Sequence, residues 1–384
     1  MSDTVSLEES RKRIDEIDKD LVRLYTERMK TAAAVAAYKK ENGLPVLDAE
    51  RERRLLARIA DLAGEEMEDS VTALYGTVLS LSRAYQSSLL SERGEAAKAI
   101  ESALEKTEKL FPERATIACQ GVEGAYSQIA AEKLFRHPEI MYFTGFEGVF
   151  SAIEAGLCRY GVLPIENSTA GSVTKVYDLM SRHRFYIVRS LRIKVDHCLL
   201  AKKGTVLSDI KEIYSHEQAL RQCAGFLEKM KGVRVIPVEN TAVAAETVAR
   251  SERSDIAALS SRDCAALYGL SVLSPSVQDK DNNFTRFICI SKEPEIYPGA
   301  DRTSIMMTLS HKPGALYHLL SRFYALGVNL TKLESRPIPE SDFEFRFYFD
   351  LETSVYSPRL LQLLSELESE SEGFRYLGSY AETV

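Results

Sequence analysis

Residues 6–42 contain no proline or glycine, and apolar side chains recur along them at helical spacing: Leu7, Ile14, Ile17, Leu21, Leu24, Ala32 and Val35. Ser6 with Glu9 forms a capping box and Gly43 supplies the stop. The pattern predicts one uninterrupted helix, roughly 50 Å long at 1.5 Å per residue, longer than a hundred-residue monomer can cover. A second helix is predicted from Asp48 on the stripe Leu55, Leu56, Ile59 and Leu62, and a third over 70–90 on Val71, Leu74, Tyr75, Val78 and Tyr85. Residues 93–112 are charged and alanine-rich, a solvated helical connector closed by Phe111-Pro112. Beyond it, apolar runs at 116–119, 160–164, 198–201, 212–214, 233–237, 256–259 and 287–290 alternate with helical stretches, which indicates an α/β sheet. After Pro298 the pattern changes again: strand 303–309, helix 313–326 with Pro313 in its first turn and Gly327 at its end, strands 328–337 and 343–351, helix 359–368, strand 374–377. The order βαββαβ is ferredoxin-like. The chain is therefore multidomain, divided as 1–92, 93–112, 113–296 and 297–384.

The helical stripes carry polar groups where apolar ones belong. Heptad spacing puts Arg11, Arg28 and Lys39 on the first stripe. Glu52 lies one turn before Leu55 and Leu56, and Ser82 and Gln86 are i,i+4 neighbours on the third helix. Unpaired buried charge is costly, so these groups need a partner, and the basic excess points to an anionic ligand. The competing account is that the long side chains snorkel outward from a plain coiled coil. Arg11 and Arg28 are 17 positions apart, roughly 25 Å along a straight helix. One small ligand cannot touch both in the same chain. Either only one is a ligand group, or Arg11 reaches a site built by another subunit; two interlocked long helices satisfy the second option, and a dimer is expected.

The middle third holds the most informative run, residues 161–173, GVLPIENSTAGSV. A buried strand that ends in Glu166, Asn167, Ser168 and Thr169 presents hydrogen-bonding groups where α/β proteins bind ligands. With Asn282-Asn283-Phe284-Thr285-Arg286-Phe287 and the segment 121–127, GVEGAYS, it resembles the signature segments of prephenate dehydratase. That resemblance implies two subdomains of periplasmic-binding-protein type with a site in the cleft between them. It also implies Thr285 as the catalytic hydroxyl and Ser215, His216, Gln222 and Phe287 at the substrate. A threonine is too weak an acid to give up a proton unaided, so Thr285 is read as a directed donor, with Glu166 or water completing the relay. Arg286 is read as pairing with a substrate carboxylate, the alternative being a structural ion pair. His216 has a capping or core alternative. Asn240-Thr241, ahead of the helix over 242–249, serves either a ligand carboxylate or ordinary capping.

The helical segment resembles the all-helical chorismate mutases through Arg11, Arg28, Lys39, Asp48, Arg51, Glu52, Ser82 and Gln86. The implied chemistry is a Claisen rearrangement of chorismate to prephenate, with no cofactor. Lys39 and Gln86 are assigned to the ether oxygen, Arg11 and Arg28 to the carboxylates, and Glu52 to the ring hydroxyl. Ser82 and Asp48 are secondary contacts. At the C-terminus Gly314-Ala315-Leu316 and Glu334-Ser335-Arg336-Pro337 resemble the effector motifs of the phenylalanine-binding ACT domain. Three such matches in this order resemble the bifunctional chorismate mutase–prephenate dehydratases. The resemblance implies chorismate and prephenate as substrates, L-phenylalanine as effector and a homodimer or homotetramer.

Two other readings remain: a dehydratase whose helical module only dimerises and senses chorismate, and a non-enzymatic amino-acid-responsive binding protein. Intact Arg28, Lys39, Glu52 and Gln86 speak against the first, and Thr285-Arg286-Phe287 against the second. Composition narrows the field further. The 384 residues carry a net charge of -7 with no long basic block, which argues against a nucleic-acid surface. No apolar leader core or membrane-length run is present, so neither secretion nor membrane insertion is expected. The six cysteines form no CxxC pair and are read as buried thiols in a reducing cytoplasm. Six scattered histidines suggest no metal site.

Overall fold

The computed structural model describes residues 6–90, 93–338, 344–371 and 373–383. The first helix, α1 (Leu7–Glu41), runs unbroken for 35 residues. Its capping box is formed: Glu9 N–H donates to Ser6 Oγ and Ser6 N–H to Glu9 Oε2, both at 3.2 Å. Helix α2 (Ala49–Ala63) is capped by Asp48, which accepts from the Arg51 N–H at 3.0 Å. Helix α3 (Glu68–Leu90) follows. Of α1 only Ala36 is buried, and Leu7, Ile14, Ile17, Leu21 and Leu24 are each close to half exposed or more. The apolar stripe that made α1 legible thus lies uncovered in the single chain.

These helices form one of two compact units, which also takes in residues 308–329 and 357–374. The helices Ala315–Ala325 and Pro358–Glu370 lie in it. A Cβ on Gly76 of α3 would meet the His318 ring at 3.3 Å, so the two helices touch at a glycine. The N-terminus of the connector helix Glu95–Lys106 is satisfied in the same unit, where the Gly94 and Ala96 N–H groups donate to Ser365 Oγ and Glu368 Oε2. The connector ends at Lys106, short of Phe111-Pro112. Phe111 packs instead against Phe135 and Tyr297, with ring centroids 4.9 and 4.8 Å apart.

The second unit, residues 99–307, 330–356 and 375–384, is built on two sheets. Its strands are β1 (Arg114–Gln120), β2 (His137–Phe143), β3 (Tyr160–Asn167), β4 (Gly171–Ser172), β5 (Tyr186–Lys194), β6 (Cys198–Ala201), β7 (Glu212–His216), β8 (Arg234–Val238), β9 (Ile256–Ser260), β10 (Ser271–Ser274), β11 (Phe284–Ser291), β12 (Arg302–Thr308), β13 (Asn329–Pro337), β14 (Phe345–Glu352) and β15 (Arg375–Thr383). Among the described residues the larger sheet runs β13-β14-β12-β15-β5-β11-β3-β1-β2, with β4 beside β3, and the smaller runs β10-β6-β9-β7-β8. Successive residues of a strand face opposite sides of its sheet. Leu163 and Ile165 of β3, with Ile288 and Ile290 of β11, accordingly enter one core, and Tyr160, Val162, Phe287 and Cys289 another.

The C-terminal strands lie in the order second, third, first, fourth, which the βαββαβ pattern requires. Details of that stretch differ from expectation, and the last strand, expected over 374–377, runs on to Thr383. The helix begins at Ala315, because Gly314 has φ +81° and cannot continue a right-handed helix back through Pro313. Phe343, expected to open a strand, lies outside the described residues. The C-terminal strands join the large sheet through parallel pairing of β15 with β5, Ala381 opposite Arg189 and Thr383 opposite Leu191. Gly378 makes that approach possible. Its φ is +136°, and a Cβ there would collide with the Ile187 carbonyl. Gly378→Ala is therefore expected to destabilise the protein by about 1–3 kcal/mol through overpacking and backbone strain. A urea midpoint unchanged from wild type would show that the junction tolerates a side chain.

Candidate active sites

A cavity of about 690 Å³ opens between the first three helices. It is lined from α1 by Arg28, Ala32, Val35 and Lys39, from the start of α2 by Asp48, Arg51, Glu52 and Leu55, and from α3 by Leu79, Ser82, Arg83 and Gln86. The i, i+3 and i, i+4 spacing that put polar groups on apolar stripes thus places them around one space. Arg11 does not line it and is exposed, as its distance along α1 requires.

Several of these groups have partners and others do not. Lys39 Nζ donates to the Val46 carbonyl at 2.5 Å. Gln86 Nε2 points at Ser82 O and Oγ at 3.3 and 3.4 Å. Glu52 accepts from Arg83 Nη1 at both carboxylate oxygens, 2.7 and 2.5 Å away. Arg28 Nη1 and Gln86 Oε1 are buried without a hydrogen-bond partner. A buried polar atom left unpaired costs about 1–3 kcal/mol. This cavity is therefore poised to gain from a polar, anionic ligand. Asp48 is committed to capping α2.

The second site grows from the antiparallel pairing of β3 with β11, which sets Asn167 opposite Thr285 and Glu166 opposite Arg286. Alternation sends the first pair to one face and the second to the other. On the first face the hydrogen bonds form a connected chain. Asn167 Nδ2 donates to Thr285 Oγ1 at 2.9 Å and to Asn283 Oδ1 at 2.8 Å. Thr169 Oγ1 donates to Asn167 Oδ1 at 2.7 Å and accepts from Gln222 Nε2 at 2.7 Å. Gln222 Oε1 accepts from Asn283 Nδ2 at 3.0 Å and lies 3.0 Å from His197 Nε2. Thr285 Oγ1 accepts from Asn167, so its own hydrogen points away from that amide. Beside this chain lies a cavity of about 480 Å³ lined by Thr169, Gln222, Gln278 and Asn283, with Arg221 and Lys280 as cations.

On the opposite face the charges are spent on each other. Arg286 is buried, with Nη2 2.6 Å from Asp350 Oδ2 and 2.9 Å from the Tyr380 hydroxyl, and Nε 3.2 Å from Glu382 Oε2. Burial opposes its charge, but Tyr380, Asp350 and Glu382 more than offset this and hold its pKa above the ordinary value. Glu166 pairs with Lys332 at 2.9 Å. Arg286 and Glu166, expected at a substrate carboxylate and in a proton relay, are tied into an ion network on the face opposite Thr285.

Other expected residues also have structural duties. Ser215 is buried and donates to the Leu259 carbonyl at 2.7 Å. His216 caps the helix Glu217–Gln222 through Nδ1, and Asn240 caps Thr241–Arg250 through Oδ1. Ser168 clasps the start of β11, donating to Asn282 O and accepting from Phe284 N–H. Phe287 is core. Residues that sequence reasoning left out of the two sites are Arg83, His197, Arg221, Gln278, Lys280 and Asn283. Asn283 lay inside a motif already singled out, whereas the others carry no local signal.

The prephenate dehydratase family profile matches residues 117–295 and that of chorismate mutase type II residues 10–87. Arogenate dehydratase 2 of Petunia hybrida is 39% identical over 284 residues, 70% of this chain and 72% of the relative. The bifunctional chorismate mutase/prephenate dehydratase of Escherichia coli (strain K12) is 32% identical over 380 residues, 96% of this chain and 95% of the relative. The chain belongs to the bifunctional chorismate mutase/prephenate dehydratase family. A solved prephenate dehydratase from Arthrobacter aurescens, in complex with L-Phe, is 29% identical with a TM-score of 0.64, covering 69% of this chain and 89% of that one. The helical cavity lies within the mutase match, and the Asn167–Thr285 face within the dehydratase match.

In this bifunctional mutase/dehydratase chain the C-terminal motifs also follow strand alternation. Along β13, Lys332, Glu334 and Arg336 turn to the dehydratase segment: Lys332 to Glu166, Glu334 to Ser172 Oγ at 2.6 Å, Arg336 to Asp178 at 2.8 Å. Glu334, expected at an effector, is thus engaged by Ser172. Leu333 and Ser335 are exposed, and Gly314 with Ala315 and Leu316 opens its helix in the other compact unit.

Burial lowers the His197 pKa below its ordinary value of 6.5, against a smaller opposing pull from Gln222. Since Gln222 Oε1 can only accept, Nε2 carries the ring proton, and Nδ1 is buried without a partner. The unfolded chain takes up a proton near pH 6.5 that the folded chain resists. This contribution to stability is thus present above that pH and is lost as the pH falls below it. The urea midpoint is expected to drop between pH 7 and pH 5, with a shallower slope for His197→Asn. Parallel slopes would show that His197 is not among the groups responsible.

Proposed function

We propose that the chain converts chorismate to prephenate in the helical cavity and prephenate to phenylpyruvate, carbon dioxide and water at the Asn167–Thr285 face, as an enzyme of phenylalanine biosynthesis. The observation that carries this reading is the pair of separate polar cavities, one inside each family match. In the first, the transition state builds negative charge on the breaking ether oxygen, and donors aimed there stabilise it above the ground state. Lys39 is one such donor. Gln86 is the other once its amide turns, which its unbonded Oε1 permits. Arg28 holds a carboxylate, Arg11 arrives from a second subunit, and Glu52 accepts from the ring hydroxyl. The uncovered stripe of α1 supports the dimer this needs.

In the second reaction the ring carboxylate leaves as carbon dioxide, its bonding electrons become part of the aromatic ring, and the ring hydroxyl departs as water. Thr285, oriented by Asn167, directs its hydrogen at the departing oxygen, and solvent supplies the net proton. Arg221 and Lys280 are placed to hold the side-chain carboxylate. Prephenate is favoured over arogenate because the same chain makes it, and assaying both substrates tests that choice.

The C-terminal strands and helices are read as an ACT domain that binds phenylalanine and inhibits the dehydratase, supported by their βαββαβ order and by the effector-like motifs. The Lys332–Glu166 pair offers a route, since Glu166 precedes Asn167. The buried thiols fit a reducing cytoplasm, and no described helix is long and apolar enough to cross a membrane.

Three outcomes are expected. Thr285→Ala abolishes phenylpyruvate formation while chorismate is still consumed, so prephenate accumulates, and Arg28→Ala lowers only the mutase rate, by about 100-fold or more. Loss of both activities in either folded variant would overturn the two-site reading. Lys332→Met keeps uninhibited dehydratase turnover and weakens inhibition by phenylalanine about 5-fold or more, the lower end of common coupling energies. Wild-type inhibition in that variant would exclude this route.

A further inference from the structure

The helical cavity contains one cation that neither the motif nor the mutase reading assigns. Arg83 lies on α3 immediately after Ser82, and its Nη1 meets both carboxylate oxygens of Glu52 at 2.7 and 2.5 Å. Both side chains are about three-quarters buried, at 24% and 23% exposure, so the pair is partly shielded from solvent. A charge-assisted contact of this kind fixes a carboxylate more firmly than a neutral hydrogen bond does. We propose that Arg83 is a positioning residue for the rearrangement: it holds the Glu52 carboxylate at the edge of the cavity with lone pairs directed at the ring hydroxyl.

Two features support this. Glu52 starts on α2 and would otherwise be steered only by its own rotamers, whereas tethering to α3 fixes it to the helix that carries Ser82 and Gln86. The second is charge balance. The cavity wall holds Arg28, Lys39, Arg51 and Arg83 against the carboxylates of Glu27, Asp48 and Glu52, four cations to three anions. Without Arg83 the count is three to three, and Glu52 would face an incoming dianion uncompensated. Arg83 therefore lets an acidic hydrogen-bond acceptor sit beside an acidic substrate.

The inference rests on Glu52 acting at the ring hydroxyl, and the test separates the two. Chorismate turnover is measured for wild type, Arg83→Ala, Arg83→Lys, Glu52→Gln and the double variant Arg83→Ala/Glu52→Gln, with phenylpyruvate formation from prephenate in the same chain reporting intact folding. Arg83→Ala is expected to lower mutase kcat/KM by about 10- to 100-fold, the scale of a misplaced site group. Arg83→Lys should recover most of it, because a single nitrogen serves both oxygens and an ammonium can replace it. The decisive result is non-additivity: in the Glu52→Gln background, removing Arg83 should cost less than about threefold, since residues that act as a unit do not add. If Arg83→Ala costs the same factor in both backgrounds, Arg83 acts as bulk charge and positioning is wrong. If Arg83→Ala lowers only the unfolding midpoint and leaves kcat/KM of the folded protein intact, it is a structural tie. If Glu52→Gln itself leaves kcat/KM unchanged, the Glu52 assignment fails first, and the proposal falls with it.

Discussion

The register of β3 against β11 is the constraint on which the dehydratase site depends. With Asn167 opposite Thr285 and Glu166 opposite Arg286, one pair joins the hydrogen-bond chain that runs through Thr169 and Asn283 to the cavity, and the other joins the ion network. A slip of one residue would exchange them. The exchange is opposed by Arg286, which would leave Asp350 and Glu382 for a cavity and strand those carboxylates; breaking a buried pair on one side costs about 3–5 kcal/mol. The arginine that looked like a substrate ligand thus works as a register pin, and what it secures is the face on which Thr285 appears. Its partners come from β14 and β15, so the C-terminal strands belong to the electrostatics of the dehydratase sheet.

The two sites solve the problem of buried polarity in different ways. At the dehydratase face, each hydrogen bond assigns the direction of the next: Gln222 to Thr169, Thr169 to Asn167, Asn167 to Thr285. The last hydroxyl in the chain accepts from Asn167, so its hydrogen cannot be spent on that amide. This is preorganisation by connectivity. In the helical cavity, Arg28 Nη1 and Gln86 Oε1 remain unpaired. A pericyclic reaction needs no proton moved. It needs a compact conformer held and charge met as it develops, so groups that are incomplete until the ligand arrives suit that task.

Much of this was legible in the residues. The capping box, the unbroken α1, the start of the second helix near Asp48 and most strand positions followed from spacing and turn chemistry, because those signals are local. Most of the polar groups on apolar stripes line one cavity, since 3.6-residue periodicity converts positions into faces. What could not be read is partner choice across elements. Whether Arg286 meets a ligand or Asp350, and whether Glu52 meets water or Arg83, depends on which strand or helix lies alongside. Alternation was readable all along: Glu166 and Asn167 are adjacent and cannot both face the cavity. The segments after Pro298 were correctly split into strands and helices, but their strands fall in one compact unit and their helices in the other. No local pattern encodes that division.

The long helix α1 sets the last constraint. Burying a large aliphatic side chain fully is worth about 1.5–3 kcal/mol, and the N-terminal half of α1 offers Leu7, Ile14, Ile17, Leu21 and Leu24 uncovered. The same half carries Arg11, which the straightness of the helix keeps roughly 25 Å from Arg28. A helix bent back to bring the two together would need a break that residues 6–42, free of proline and glycine, do not contain. In the reading proposed above, a second copy packed along α1 answers both the apolar stripe and the stranded arginine. Such a copy would bury the stripe and deliver Arg11 to its neighbour's cavity in one step, so that cavity, which holds Arg28 and Lys39 from its own chain, would be complete only in the pair.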